Sequence, residues 1–186
     1  MRSMRTIYDR AGNPLLFFCL LCVLVFPGAR TVFADDPHKS EGPVLESAEN
    51  FFVFLKEKNY RAAWELLSER SQETIINDVY ESARESGATI DKEKIVTDFS
   101  GSGIIFNNYW NAFMINFNPD IVLNERVWEF ENIGPVRAII LIRGEGITRL
   151  IMYKEAGWWK VGFVETFWTR RPGKVTKFLR SLFINR

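Results

Sequence analysis

The chain has 186 residues, 47% of them hydrophobic and 25% charged, with one histidine, two cysteines and a formal net charge of +1. That length suits a single domain and that apolar fraction suits a packed core. Near-neutral charge gives no whole-chain case for a nucleic-acid partner. Reading from the N-terminus, Arg2, Arg5 and Arg10 lead into an unbroken apolar run of 12 residues at 15–26 (LLFFCLLCVLVF), whereas a bilayer-spanning helix needs about 20. Pro27 and Gly28 break the run, and Val32-Phe33-Ala34 places small residues where a signal peptidase cuts before Asp35. The pattern predicts a secretory signal peptide over 1–34. The alternatives are a buried helix or an uncleaved anchor prolonged toward Phe33, which Arg30 interrupts. The expected destination is the bacterial periplasm or the exterior.

Cleavage removes Cys19 and Cys22 and leaves 152 residues with a net charge of −2. A mature chain without cysteine has no thiolate nucleophile, redox pair or thiolate metal site. Its histidine, His38, lies in a polar segment (DDPHKSEGP) read as a tail over 35–43. A catalytic base on such a tail lacks the third group that orients it. Gly101-Ser102-Gly103 and Gly144-Glu145-Gly146 lack the lysine and spacing of phosphate-cradling loops and read as turns. No cofactor and no metal site is expected. Acid–base chemistry, if any, falls to Asp, Glu, Lys or Tyr.

From Val44 the apolar spacing turns helical, with Leu45, Ala48, Phe52 and Leu55 at three- and four-residue steps. Asn59 reads as a stop, and Tyr60, Ala63, Trp64 and Leu67 repeat the pattern. Ser71 reads as the N-cap of a third helix through Ile75, Ile76, Val79 and Ala83, ending at Gly87. Asp91 opens a short helix through Ile95 and Phe99. A further one carries Ile105, Tyr109, Ala112, Phe113 and Asn116 and ends at Asn118-Pro119. Beyond Ile121 the period drops to two. Four strands are expected near 121–131, 136–143, 147–155 and 158–168, joined by short turns that permit only an antiparallel meander. The fold class is therefore α+β, with N-terminal helices packed on a curved four-stranded sheet.

Turn lengths fix a register. A three-residue loop at Gly144-Glu145-Gly146 sets Ile142, Ile140 and Ala138 opposite Thr148, Leu150 and Met152. Arg137, Arg143 and Arg149 then fall on the other face. A two-residue Ala156-Gly157 loop sets Met152 beside Val161, Leu150 beside Phe163 and Thr148 beside Glu165. The helix-facing side is then apolar except at one end, where Asn124, Arg126, Thr148 and Glu165 gather. With Tyr109, these are the candidate ligand-binding residues of an apolar cavity. The competing reading puts the polar row at a frayed rim, or lets a bulge turn Glu165 outward. The six tryptophans, Trp64 and Trp110 on helices and Trp128, Trp158, Trp159 and Trp168 on strands, read as core or edge covers. Residues 169–186 carry six basic side chains and no acid, against a net charge of −8 over 35–168. An amphipathic helix is expected there, with Lys174, Lys177 and Arg180 opposite Phe178 and Leu182, to lie on a membrane or dock on the body.

The opening helix pair (ESAENFFVFLKEKNYRAAWELLSE) and the closing hairpin (IMYKEAGWWKVGFVETF) resemble the nuclear transport factor 2-like superfamily, extracytoplasmic branch. The resemblance implies a cone of helices on a curved sheet, with a cavity used for binding, dimerisation or isomerase and dehydratase chemistry. It implies an Asp–His or Tyr–Asp arrangement in the enzymatic branches, and Tyr109 and Glu165 match no such motif. The function expected is an exported, non-catalytic binding or assembly domain for a small apolar ligand or a protein partner. An acid–base enzyme with Glu165 as base, and a membrane-surface accessory protein, are the alternatives. A homodimer through the sheet and a peripheral membrane contact stay open as partners.

Overall fold

A computed structural model describes residues 37–124, 127–143 and 146–168, all belonging to one unit, Asp36–Arg186. The expected signal peptide lies outside the described residues. So do Arg126 and the expected C-terminal helix with Lys174, Lys177, Phe178, Arg180 and Leu182.

Six helices precede the sheet. The first, α1 (Pro37–Lys56), begins ahead of the Val44 start expected from periodicity and runs through Gly42 and Pro43. Its inner stripe, Val44, Ala48, Phe51, Phe52 and Leu55, is fully buried, as helical spacing requires. Asn59 caps α2 (Tyr60–Glu65) by accepting from the Ala62 amide. The N-cap of α3 (Glu69–Glu85) is Ser68 rather than Ser71. The Ser68 hydroxyl takes the Ser71 amide at 3.2 Å. At the other end Gly87, at φ +80°, lets the Ala88 amide reach Ala83 O and the Gly87 amide reach Arg84 O. This is the paired closure that favours glycine at that position.

Two further helices, α4 (Lys92–Ser100) and α5 (Ile104–Ile115), are joined by a side chain. The Asp98 carboxylate accepts from the Ile105 and Phe106 amides at 3.2 and 2.8 Å, capping α5 from the neighbouring helix. Gly103 makes room for it, since a Cβ there would run into that carboxylate. Asn118-Pro119 does not end the helical region. Pro119 opens α6 (Pro119–Asn124), because proline is pre-set for a helix's first turn, where its missing N–H costs nothing.

The sheet is the expected antiparallel meander in the order β1 (Val127–Ile133), β2 (Arg137–Arg143), β3 (Ile147–Glu155), β4 (Trp158–Val161). The pairs Ile142–Thr148, Ile140–Leu150, Ala138–Met152 and Met152–Val161 form as the turns dictate. Trp128 and Phe130 join the inner face opposite Ile142 and Ile140, and a bulge falls between Phe130 and Asn132. Two strand boundaries differ from expectation. Residues 121–124 belong to α6, and β4 stops at Val161 rather than continuing to 168. Beyond it the chain winds into a π-helical turn, Val164–Trp168, so Trp168 sits on no strand.

The edge of β4 is covered from the helical side. Val161 donates to Leu66 O at 2.7 Å and receives the Ser68 amide at 3.0 Å, forming a parallel bridge at Leu67. The core between helices and sheet is dominated by rings. Phe163 alone has Phe51, Trp110, Phe113, Phe167 and Trp168 around it, with centroids 5.0–6.1 Å away.

Candidate functional site

The break in β4 decides where the expected site residues go. The Thr166 hydroxyl accepts the Ile151 amide at 3.0 Å and donates to Gly162 O at 2.7 Å. It stands between two backbone groups that would pair directly if the ladder continued. Gly162 itself lies beneath Tyr153, and a Cβ there would meet the ring at 2.7 Å. The inserted hydroxyl and this close approach turn the chain inward. Leu150 therefore has no strand partner at Phe163, and Thr148 none at Glu165.

Glu165 is carried instead to the first turn of α3. Its carboxylate lies 3.4 Å from both Ser71 Oγ and Arg70 Nε, and its side chain is 13% exposed. Ser71 Oγ also receives Ser68 Oγ at 2.9 Å and the Val164 amide at 3.3 Å. A carboxylate at the N-terminal turn of a long helix is favoured by the helix dipole, and the guanidinium and hydroxyl add to that. The inward glutamate thus has a structural account: it ties the π-helical turn to α3. Ser71, buried and polar, has its role here rather than as a cap.

Tyr109 is fully buried on α5, with its ring 6.0 Å from Phe99, 5.3 Å from Trp110 and 6.2 Å from Trp168. Burial pushes its phenol well above the usual tyrosine range, and the negative charge of Asp78 on α3 adds to the shift. Burial also raises the Asp78 carboxyl. Asp78 was not singled out in the sequence. The available signal was a polar residue three positions after Ile75 and four before Ser82, within the buried stripe of α3. Ser82 Oγ and Trp110 Nε1 are buried without a hydrogen-bond partner among the described residues. Thr148 is half-buried on the inner face of β3, and Asn124 is exposed at the end of α6. The candidates are thus dispersed. Tyr109 lies in the core, Glu165 at the start of α3, Thr148 on the sheet and Asn124 at the surface.

Elsewhere a cleft of about 220 Å³ opens between α1, α6 and β1, lined by Leu45, Glu49, Leu123 and Trp128. That is below the ~300–1,000 Å³ usual for small-molecule sites. The outer sheet face mixes apolar and charged side chains. Arg143 pairs with Glu129 at 3.0 Å and Arg149 with Glu131 at 2.6 Å, so two of the three arginines predicted on this face meet acids from β1. Val127 and Ile147, 40% and 54% exposed, flank Arg143 at the end of this face, with half-buried Leu141 and Ile151 further along it. No family model, curated protein or solved structure matches the chain. Among the described residues no group of three His, Cys, Asp or Glu side chains is placed to hold a metal ion, and no helix is long and apolar enough to cross a membrane.

Proposed function

We propose that this is an exported, non-catalytic assembly domain of nuclear transport factor 2-like architecture, which pairs with a protein partner through the outer sheet face, in the first instance a second copy of itself. The single observation behind this reading is the set of rings around Phe163, which packs the core between helices and sheet. The outer face suits self-pairing because its Glu129–Arg143 and Glu131–Arg149 pairs carry both signs, which a two-fold axis can exchange between copies. The helices-then-meander order supports the family reading. Sedimentation velocity on the full chain tests it: concentration-dependent dimerisation is expected, and it should be lost in Val127→Asp and Ile147→Asp, whose side chains lie outside the core. A chain that stays monomeric throughout, or variants that dimerise like the parent, would overturn it.

The acid–base alternative would have to exchange Glu165 for Asp78, whose negative charge acts on the buried Tyr109 phenol. Turnover of unsaturated or β-hydroxy carbonyl probes, lost in both Asp78→Asn and Tyr109→Phe, would support it. Absence of turnover in the parent chain would remove it.

A further inference from the structure

The meander brings two turns to the same end of the sheet, the β1–β2 connection at Gly134-Pro135-Val136 and the β3–β4 hairpin at Ala156-Gly157. The Lys154 amide, donating to Val136 O at 2.9 Å, ties them together. At this corner Trp158 is 73% exposed and Val136 64% exposed. Leaving an indole in water forfeits one of the largest apolar burials a side chain offers. The hairpin tip is short and rigid, with Ala156 and Gly157 at φ +49° and +88°, so Trp158 is held outward.

The charge around the tip is mixed: Glu155 is the direct cross-strand partner of Trp158, and three cations lie in the neighbouring rows. Arg137, Tyr153 and Lys160 form one cross-strand row on the outer face, and Lys154 and Trp159 form the next row, which points to the helix-facing side. Neither Arg137 nor Lys154 has a carboxylate partner among the described residues, although Lys154 lies over the Trp159 ring at 5.9 Å. Lys160 donates to Glu65 O. The acids nearby are engaged: Glu155 accepts from the Glu69 amide at 3.0 Å, and Glu65 pairs with Arg61.

We propose that this corner is a peripheral docking site for an anionic lipid surface, with Trp158 and Val136 entering the headgroup layer and Arg137 and Lys154, one on each face of the tip, facing lipid phosphates. An exposed indole with an apolar body and a polar N–H, on a short hairpin tip with a cation on each face, suits a deformable interface better than the concave fit of a protein pocket. The site is separate from the Val127–Ile147 end of the sheet, so its failure and that of the self-pairing reading are distinguishable.

The test is co-sedimentation of the full chain with phosphatidylglycerol–phosphatidylcholine vesicles and with pure phosphatidylcholine vesicles. Binding is expected to the anionic vesicles alone and to weaken with added salt. Arg137→Gln with Lys154→Gln should lower affinity about 25-fold, at about fivefold per cation near the surface. Trp158→Ala should lower it further and abolish the quenching by brominated lipid that distinguishes the parent from Trp158→Phe. All these side chains are exposed, and unchanged melting temperatures will confirm that folding is intact. The proposal fails if the parent ignores anionic vesicles, if neutral vesicles bind equally, or if the variants bind like the parent, which would place lipid contact elsewhere in the chain. Retention of the parent by immobilised polyglutamate without any vesicle binding would assign the corner to an acidic protein instead.

Discussion

Replacing Thr166 with valine is the sharpest probe of why the last strand stops where it does. Valine keeps the shape and removes the hydroxyl, which serves the Ile151 amide at 3.0 Å and Gly162 O at 2.7 Å. The two losses are unequal. Gly162 O keeps the Thr166 amide at 3.0 Å, whereas the Ile151 amide loses the partner it has. An amide stranded in this way costs about 1–3 kcal/mol. For a domain of this size that lowers the melting temperature by roughly 2–12 °C, at about 2–4 °C per kcal/mol. Thr166→Ser keeps the bridge and gives up only a methyl group, worth about 0.8 kcal/mol. Thermal melts should therefore rank the parent first, serine second and valine last. Hydrogen exchange should show the Ile151 amide opening faster in the valine variant alone. Should Thr166→Val melt with the parent and protect that amide equally, the hydroxyl does not hold the strand's end.

Three further outcomes are expected. Burial holds the Asp78 carboxyl above its ordinary 3.8, so the fold keeps this proton more tightly than the unfolded chain does. Its contribution is most favourable below the unfolded value and declines as pH rises through the raised one. Asp78→Asn should gain on the parent in urea midpoints measured from pH 3.5 upward, and a pH-independent difference would refute this. Asp98→Ala should cost about 1 kcal/mol by uncapping α5. Gly103→Ala, which displaces the same carboxylate, should add little on top of it in a double-mutant cycle, and full additivity would separate the two residues. Gly162→Ala should destabilise the chain by driving Tyr153 aside, and the loss should shrink when Tyr153 is first reduced to alanine.

The features legible in the sequence were those written in spacing. The strand register followed from turn lengths, because a slip of one residue would have mixed the arginines with Ile140 and Leu150. The α1 stripe and the Gly87 stop were equally local. What stayed hidden depends on single side chains acting on distant backbone. Val161, Phe163 and Glu165 alternate as a strand would, and nothing in that alternation announces that Thr166 will reach back to Ile151. Ser68 and Ser71 are equally good caps by type, and the choice between them rests on Ser71 being needed by Glu165, 94 residues away. Pro119 was read as punctuation, although proline opens a helix as readily as it closes one. Asn124 and Glu165 were placed on strand extensions that are a helix and a π-helical turn instead, so they part from Thr148, which keeps its expected place on β3.

The bridge between Leu67 and Val161 bears on the order of assembly. It joins the α2–α3 junction to the final strand across most of the domain, and both backbone groups flanking Leu67 depend on it. A contact so distant in sequence forms late, after the loop between its ends has been ordered. Until Val161 arrives, the Leu66 carbonyl and Ser68 amide must turn to water, and the helical half is left ajar at its seam. A chain truncated after Glu155, which loses Val161 together with the core side chains Trp159, Phe163 and Trp168, should retain helix by circular dichroism while losing cooperative melting, and a cooperative melt would refute this.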